Sequence, residues 1–112
     1  MRKAYGLGEL LENQVDPEPV KQFELWLAQA RDAGLAEPNA MIVATAGADG
    51  RPSARTVLLK RFDERGFVFY TNQESRKAAD LEANPHCALV FPWHAMERQV
   101  RVEGAVSKLP TD

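Results

Sequence analysis

AMIVATAGADGRPSARTVLLK, spanning Ala40 to Lys60, decides the fold class. Met41-Ile-Val-Ala-Thr45 is a short apolar, β-branched run, Asp49-Gly50 is a hairpin signal, and Pro52 to Lys60 returns as a second strand. Beyond it, Asp63-Glu-Arg-Gly66 makes another turn before Phe67-Val-Phe-Tyr-Thr71. Cys87 to Phe91 and Gln99 to Val106 read as further strands, joined through Pro92-Trp-His-Ala-Met-Glu97. Short strands linked by tight turns predict an antiparallel sheet that curls toward a barrel.

Helical periodicity appears on either side. Asp16 can cap free backbone donors and Pro17 suits a first helical position. Val20, Phe23, Leu27 and Ala30 then recur at spacings of three and four, widened by Trp26 and Ala33, which predicts an amphipathic helix over about 17–33. Gly34 is placed to end it, and Pro38 forbids resumption. A second, short helix is expected from Ser75, its N-cap, to about Ala83, ahead of Asn84-Pro85. In residues 1–15, Leu7, Leu10 and Leu11 could form one helical turn. The fold class is therefore α+β, mainly β, in one domain over 1–112 without repeat or linker. Pro110-Thr-Asp112 reads as the approach to another element, so a shortened chain is expected.

At 112 residues and 45% hydrophobic, the chain can bury only a modest core. A net charge of −2 gives no global footprint for nucleic acid, so an anion site must come from local Arg and Lys. Cys87 is the only cysteine, which excludes an intrachain disulfide and fits a reducing cytosol. The start lacks a signal-peptide core and no apolar run spans a bilayer, so a cytoplasmic protein is expected. His86 and His94 have no partners at metal-ligand spacing. Walker and GxGxxG loops are absent. Ser53 and Ser75 have no neighbouring His to activate them. Cys87, in an apolar strand, reads as inert core.

Three constellations could carry chemistry. Along Arg55-Thr-Val-Leu-Leu-Lys60, alternation puts Arg55, Val57 and Leu59 on one face and Thr56, Leu58 and Lys60 on the other. A cation on each face of an apolar strand needs a partner or water, unless both sit at exposed strand ends. Tyr70-Thr-Asn-Gln-Glu-Ser-Arg-Lys77 ends a strand and starts a helix with two cations, where the dipole disfavours them and an anion would be welcome. The competing reading is a solvated basic turn paired with Glu74 or Asp80. Arg55, Arg76 and Lys77 together could neutralise a phosphate dianion. In Phe91 to Val100, Gln99 could read the polar edge of a flat heterocycle or be an ordinary core or interface amide. Trp93 is most simply packing surface.

Arg55 to Lys60, Phe69-Tyr-Thr-Asn72, Ser75-Arg-Lys77 and Phe91-Pro-Trp-His94 with Glu97-Arg-Gln-Val100 resemble the pyridoxamine 5′-phosphate oxidase family in order and spacing. The resemblance extends to Phe23-Glu-Leu-Trp-Leu27 and to Ala40-Met-Ile-Val-Ala-Thr45, covering nearly the whole chain. It implies a split β-barrel that dimerises with flavin mononucleotide (FMN) at the interface. It further implies that Arg55, Thr56, Val57, Leu58, Leu59 and Lys60 run along the flavin. Tyr70 and Thr71 would contact it, Arg76 and Lys77 would hold its phosphate region, and Gln99 would reach it from the interface. Lys60 would also meet the substrate phosphate, with Arg2 and Tyr5 closing over the substrate. The implied activity is oxidation of pyridoxamine or pyridoxine 5′-phosphate to pyridoxal 5′-phosphate, with O2 as acceptor. A non-catalytic FMN-binding module and another split-barrel flavin reductase are the alternatives.

Overall fold

The computed structural model describes residues 18–71 and 74–109. In chain order these form α1 (Pro19–Asp32), β1 (Ala40–Ala46), β2 (Pro52–Leu58), β3 (Arg61–Asp63), β4 (Gly66–Val68), α2 (Arg76–Ala83), β5 (His86–Trp93), a 3-10 turn (His94–Met96) and β6 (Arg98–Ala105). Antiparallel pairing gives a four-stranded sheet in the order β2-β1-β5-β6, with β3-β4 as a separate hairpin. The barrel is thus split rather than closed by hydrogen bonds among the described residues.

β1 and β2 pair from Ala46↔Pro52 to Ala40↔Leu58, with the 47–51 loop between them. Gly50 N–H donates to Gly47 O, the Asp49 carboxylate accepts from Arg51 N–H, and Gly50 has φ +79°, which a side chain would strain. The extended chain does not run unbroken to Lys60. Leu59 N–H still bonds Asn39 O, but Lys60 N–H bonds Val68 O, so the strand changes partners here and restarts as β3. Of the expected Phe67–Thr71 strand only Phe67 and Val68 lie in β4, which starts one residue earlier at Gly66 and has an equally short partner in β3. β5 extends beyond the expected 87–91 at both ends, and β6 pairs with it along its whole length.

α1 lies across the inner face of the sheet. Glu18 is its N-cap and Pro19 its first residue, two positions later than expected; Asp16 and Pro17 lie outside the described residues. Phe23, Leu27 and Ala30 are its buried stripe, whereas Ala33 is exposed at the C-cap. Gly34, at φ +78°, lets Leu35 N–H reach back to Ala30 O and ends the helix as expected. Phe23 is the hub of the core, with ring centroids 4.9 Å from Phe62, 5.0 Å from Phe67, 4.8 Å from Phe91 and 5.7 Å from Trp93. The ring therefore ties helix, hairpin and sheet together. Trp93 is packing surface, and its Nε1–H donates to Pro38 O at 2.9 Å. Buried Arg98 sits over the Trp26 ring and donates to Gln29 Oε1, fixing β6 to α1.

Candidate functional site

Alternation along β2 sorts its side chains onto two faces, as expected. Ser53, Arg55, Val57 and the following Leu59 turn inward, while Thr56, Leu58 and Lys60 are exposed. Arg55 is therefore a half-buried cation in mid-strand, not at a strand end. Its Nη1 donates to Val43 O (3.2 Å) and Thr45 Oγ1 (3.0 Å), and its Nη2 to Ser53 Oγ (2.7 Å). All three acceptors are neutral, and two N–H donors, on Nε and Nη2, remain uncommitted among the described residues.

The start of α2 brings two more cations to this end of the sheet. Ser75 is the N-cap: its Oγ accepts from Ala78 N–H at 3.2 Å and lies 3.4 Å from Thr71 Oγ1. The first-turn backbone N–H groups have no partner inside the helix and face outward along its axis. Lys77 is only 8% exposed, with its ammonium 5.8 Å from the Phe69 ring centre. It makes no hydrogen bond or ion pair among the described residues. Burial first, and the nearby Arg55 charge second, lower its pKa from the usual 10.5.

Arg76 behaves differently. It is exposed, and its Nε lies 3.9 Å from Asp80 Oδ2 across one helical turn. Pairing with Asp80, one of the two readings of this turn, thus applies to Arg76 but not to Lys77. Asp80 itself is buried and accepts from Thr45 Oγ1 at 2.8 Å. Of the three cations, Arg76 alone pairs with Asp80 among the described residues, and that carboxylate is already engaged by Thr45. The local charge is positive although the chain is acidic overall.

The other candidates sit around this cluster. Lys60 extends over the Tyr70 ring, 5.6 Å from its centre, and Tyr70 is 69% exposed, so this pair offers a cation and a bare aromatic face. Leu59 is a core residue and Val57 packs against the core, which leaves their backbone as the part able to touch a ligand. Gln99 is exposed on β6, opposite Pro92, at the far edge of the sheet from β2. Three strand spacings, ~14 Å, separate those edges. One chain does not bring Gln99 to Arg55. Arg2 and Tyr5 lie outside the described residues.

The outer sheet face between these edges is small and apolar. Ala40, Ile42, Ala44, Ala88, Val90 and Pro92 occupy it and are all only partly covered. An open groove of about 540 Å³ lies at one end, but no Lys or Arg lines it and only Thr45 links it to the cationic cluster. Burial raises the pKa of the Cys87 thiol, in keeping with an inert core cysteine. Among the described residues no group of side chains could hold a metal ion, and no helix is long and apolar enough to cross a membrane. Thr45 and its buried contact with Asp80 were not picked out from sequence, and Ser53 was weighed only as a nucleophile; the only signal was the alternation that turns Thr45 inward.

The family model described as pyridoxamine 5′-phosphate oxidase matches residues 27–112. A pyridoxine/pyridoxamine 5′-phosphate oxidase of Salinibacter ruber is 56% identical over 112 residues, all of this chain and 52% of the relative. One from Rubrobacter xylanophilus is 58% identical over 108 residues, 96% of this chain and 50% of the relative. The chain spans about half the length of the curated relatives it matches. Among solved structures, PhzG from Burkholderia lata in complex with tetrahydrophenazine-1-carboxylic acid superposes with a TM-score of 0.79 at 32% identity, over 86% of this chain and 48% of that one. A pyridoxamine 5′-phosphate oxidase-related, FMN binding protein from Nostoc punctiforme gives a TM-score of 0.65 at 23% identity, over 82% of this chain and 48% of that one, a likeness of fold alone.

Proposed function

The chain belongs to the pyridoxamine 5′-phosphate oxidase family, and from that premise we propose that residues 1–112 form one FMN-binding domain. Its activity is oxidation of pyridoxamine or pyridoxine 5′-phosphate to pyridoxal 5′-phosphate in the cytoplasm, with O2 as acceptor. The observation that carries the reading is Lys77: a largely buried lysine beside Arg55, at a helix start, with no ion pair among the described residues. A dianionic phosphate suits this arrangement. Arg55 offers it two free N–H donors, Lys77 a point charge, Arg76 a mobile guanidinium, and α2 its unpaired backbone donors.

From the phosphate, the flavin extends along β2, where the exposed side chains of Thr56, Leu58 and Lys60 and the backbone at Val57 and Leu59 form one wall. Tyr70 and Thr71 border it. Gln99 stands too far away to serve its own chain's flavin, and it completes the site of a second copy packed on the outer sheet face. Homodimerisation buries Ile42, Val90 and Pro92 and places two flavins at the interface. Held by Arg55, Arg76 and Lys77, FMN would supply the redox chemistry: hydride acceptance from the substrate's 4′ carbon, with O2 as terminal electron acceptor. The protein contributes position and charge: Lys60 receives the substrate phosphate, and Arg2 and Tyr5 close over the ring.

The purified chain should retain flavin absorption after FMN addition and desalting, and lose it on Lys77→Ala. Peroxide release with pyridoxamine 5′-phosphate then separates an oxidase from an FMN-binding module. Flavin retention without peroxide would leave the binding module as the reading. No retention at all would reject both.

A further inference from the structure

We propose that Thr45 and Asp80 are positioning residues for the cationic cradle, acting through Arg55 and the start of α2 without touching the ligand; this rests on the phosphate reading above. Thr45 stands in the central strand β1, opposite Ser53 on β2 and Cys87 on β5. It is 4% exposed and Asp80 is 7% exposed, so both are largely enclosed by protein. Yet one oxygen, Thr45 Oγ1, joins three elements: it donates to Asp80 Oδ2 on α2 and accepts from Arg55 Nη1 on β2.

The direction of those bonds is dictated by chemistry. An ionised carboxylate and a guanidinium can only accept and only donate, respectively, so the hydroxyl proton points to Asp80 and the lone pair faces Arg55. Ser53 Oγ, from the same cross-strand pair, holds the other terminal nitrogen of Arg55. The guanidinium is thereby fixed in one orientation, with Nε–H and one Nη2–H left over. Through the same hydroxyl, Asp80 ties α2 to the sheet three residues after Lys77, on Lys77's own helix face.

Gly47 supplies independent support. A Cβ there would lie 2.8 Å from Asp80 Oδ1, so the hairpin loop is packed directly against the second carboxylate oxygen. The Gly47 backbone is not in the left-handed region, so what glycine provides here is room for the Asp80 carboxylate. Asp80 thus bonds Thr45 through one oxygen and has its other oxygen close to Gly47. Its 3.9 Å separation from Arg76 is longer than its contact with Thr45.

The test is the ratio of FMN to riboflavin affinity, measured by fluorescence quenching on the purified chain well below each variant's unfolding temperature. Riboflavin lacks the phosphate, so a purely structural defect weakens both ligands and leaves the ratio intact. Thr45→Val and Asp80→Ala should each lower the ratio about tenfold, the scale of one misplaced charged hydrogen bond. Asp80→Asn, which keeps an acceptor for Thr45, should preserve it. Gly47→Ala should lower the ratio in the native background and change it little in Asp80→Ala, where the clash is gone. An unchanged ratio in Thr45→Val, or a higher one in Asp80→Ala, overturns the assignment; if Thr45→Val fails to fold, the Gly47–Asp80 pair decides. Lys77→Met separates the two claims. If it leaves the ratio unchanged, the phosphate reading itself has failed; if it lowers the ratio while Thr45→Val and Asp80→Ala do not, only the positioning role has.

Discussion

Lys77→Met should weaken FMN binding without weakening the empty fold, a combination that few substitutions produce. Lys77 is 8% exposed and makes no ion pair among the described residues, so burying its charge costs the ligand-free fold stability. Methionine has similar length and volume, keeps the packing on Phe69, and adds a sulfur–aromatic contact. It also removes the repulsion with Arg55. The unfolding midpoint of the ligand-free protein should therefore hold or rise. A hydrogen bond to a charged group contributes about 1.5–3 kcal/mol, so the FMN dissociation constant should rise about 10- to 150-fold. Riboflavin binding should change less than threefold, about 0.6 kcal/mol. Fluorescence titration and denaturant melts supply all three numbers. An unchanged FMN affinity, or a protein destabilised by more than about 1 kcal/mol, would show that Lys77 is a structural residue and refute the reasoning.

The lowered Lys77 pKa has a pH signature. FMN affinity should fall as pH rises through that pKa, below the usual 10.5 of lysine, and Lys77→Met should abolish the dependence. Stability of the empty protein should move the other way: the unfolded chain keeps the proton to higher pH, so the cost of the buried charge, full below the folded pKa, is relieved as pH climbs toward 10.5. Phe23→Ala should cost about 3–5 kcal/mol in denaturant unfolding, because its ring is shared by helix, hairpin and sheet; a loss under 1 kcal/mol would contradict its place as hub. Ile42→Glu on the outer face should yield monomers in sedimentation and lower flavin retention together. Dimers that persist would place the interface elsewhere.

Residues 40–60 carried the fold because their two runs differ in kind from the glycine-rich loop between them. The alternation that put Arg55 and Lys60 on opposite faces was legible for the same reason. β3 was not: Arg61-Phe-Asp63 is too short and too charged to show a period, and it exists because β4 lies opposite. The start of α1 was misplaced by two residues because Asp16-Pro17 and Glu18-Pro19 carry the same kind of signal. Arg76 and Lys77 look alike in sequence, yet helix geometry turns one to solvent and buries the other. The Thr45–Asp80 contact joins positions 35 residues apart, and the separation of Gln99 from Arg55 follows from the strand order. Both depend on long-range pairing, which local pattern does not encode.

The most direct measurement is a crystal structure of the chain with FMN bound. The phosphate should lie within hydrogen-bond reach of both Arg55 and Lys77, at the start of α2, with Gln99 of a second copy near the ring. A phosphate elsewhere, with Lys77 still buried and alone, would contradict this placement.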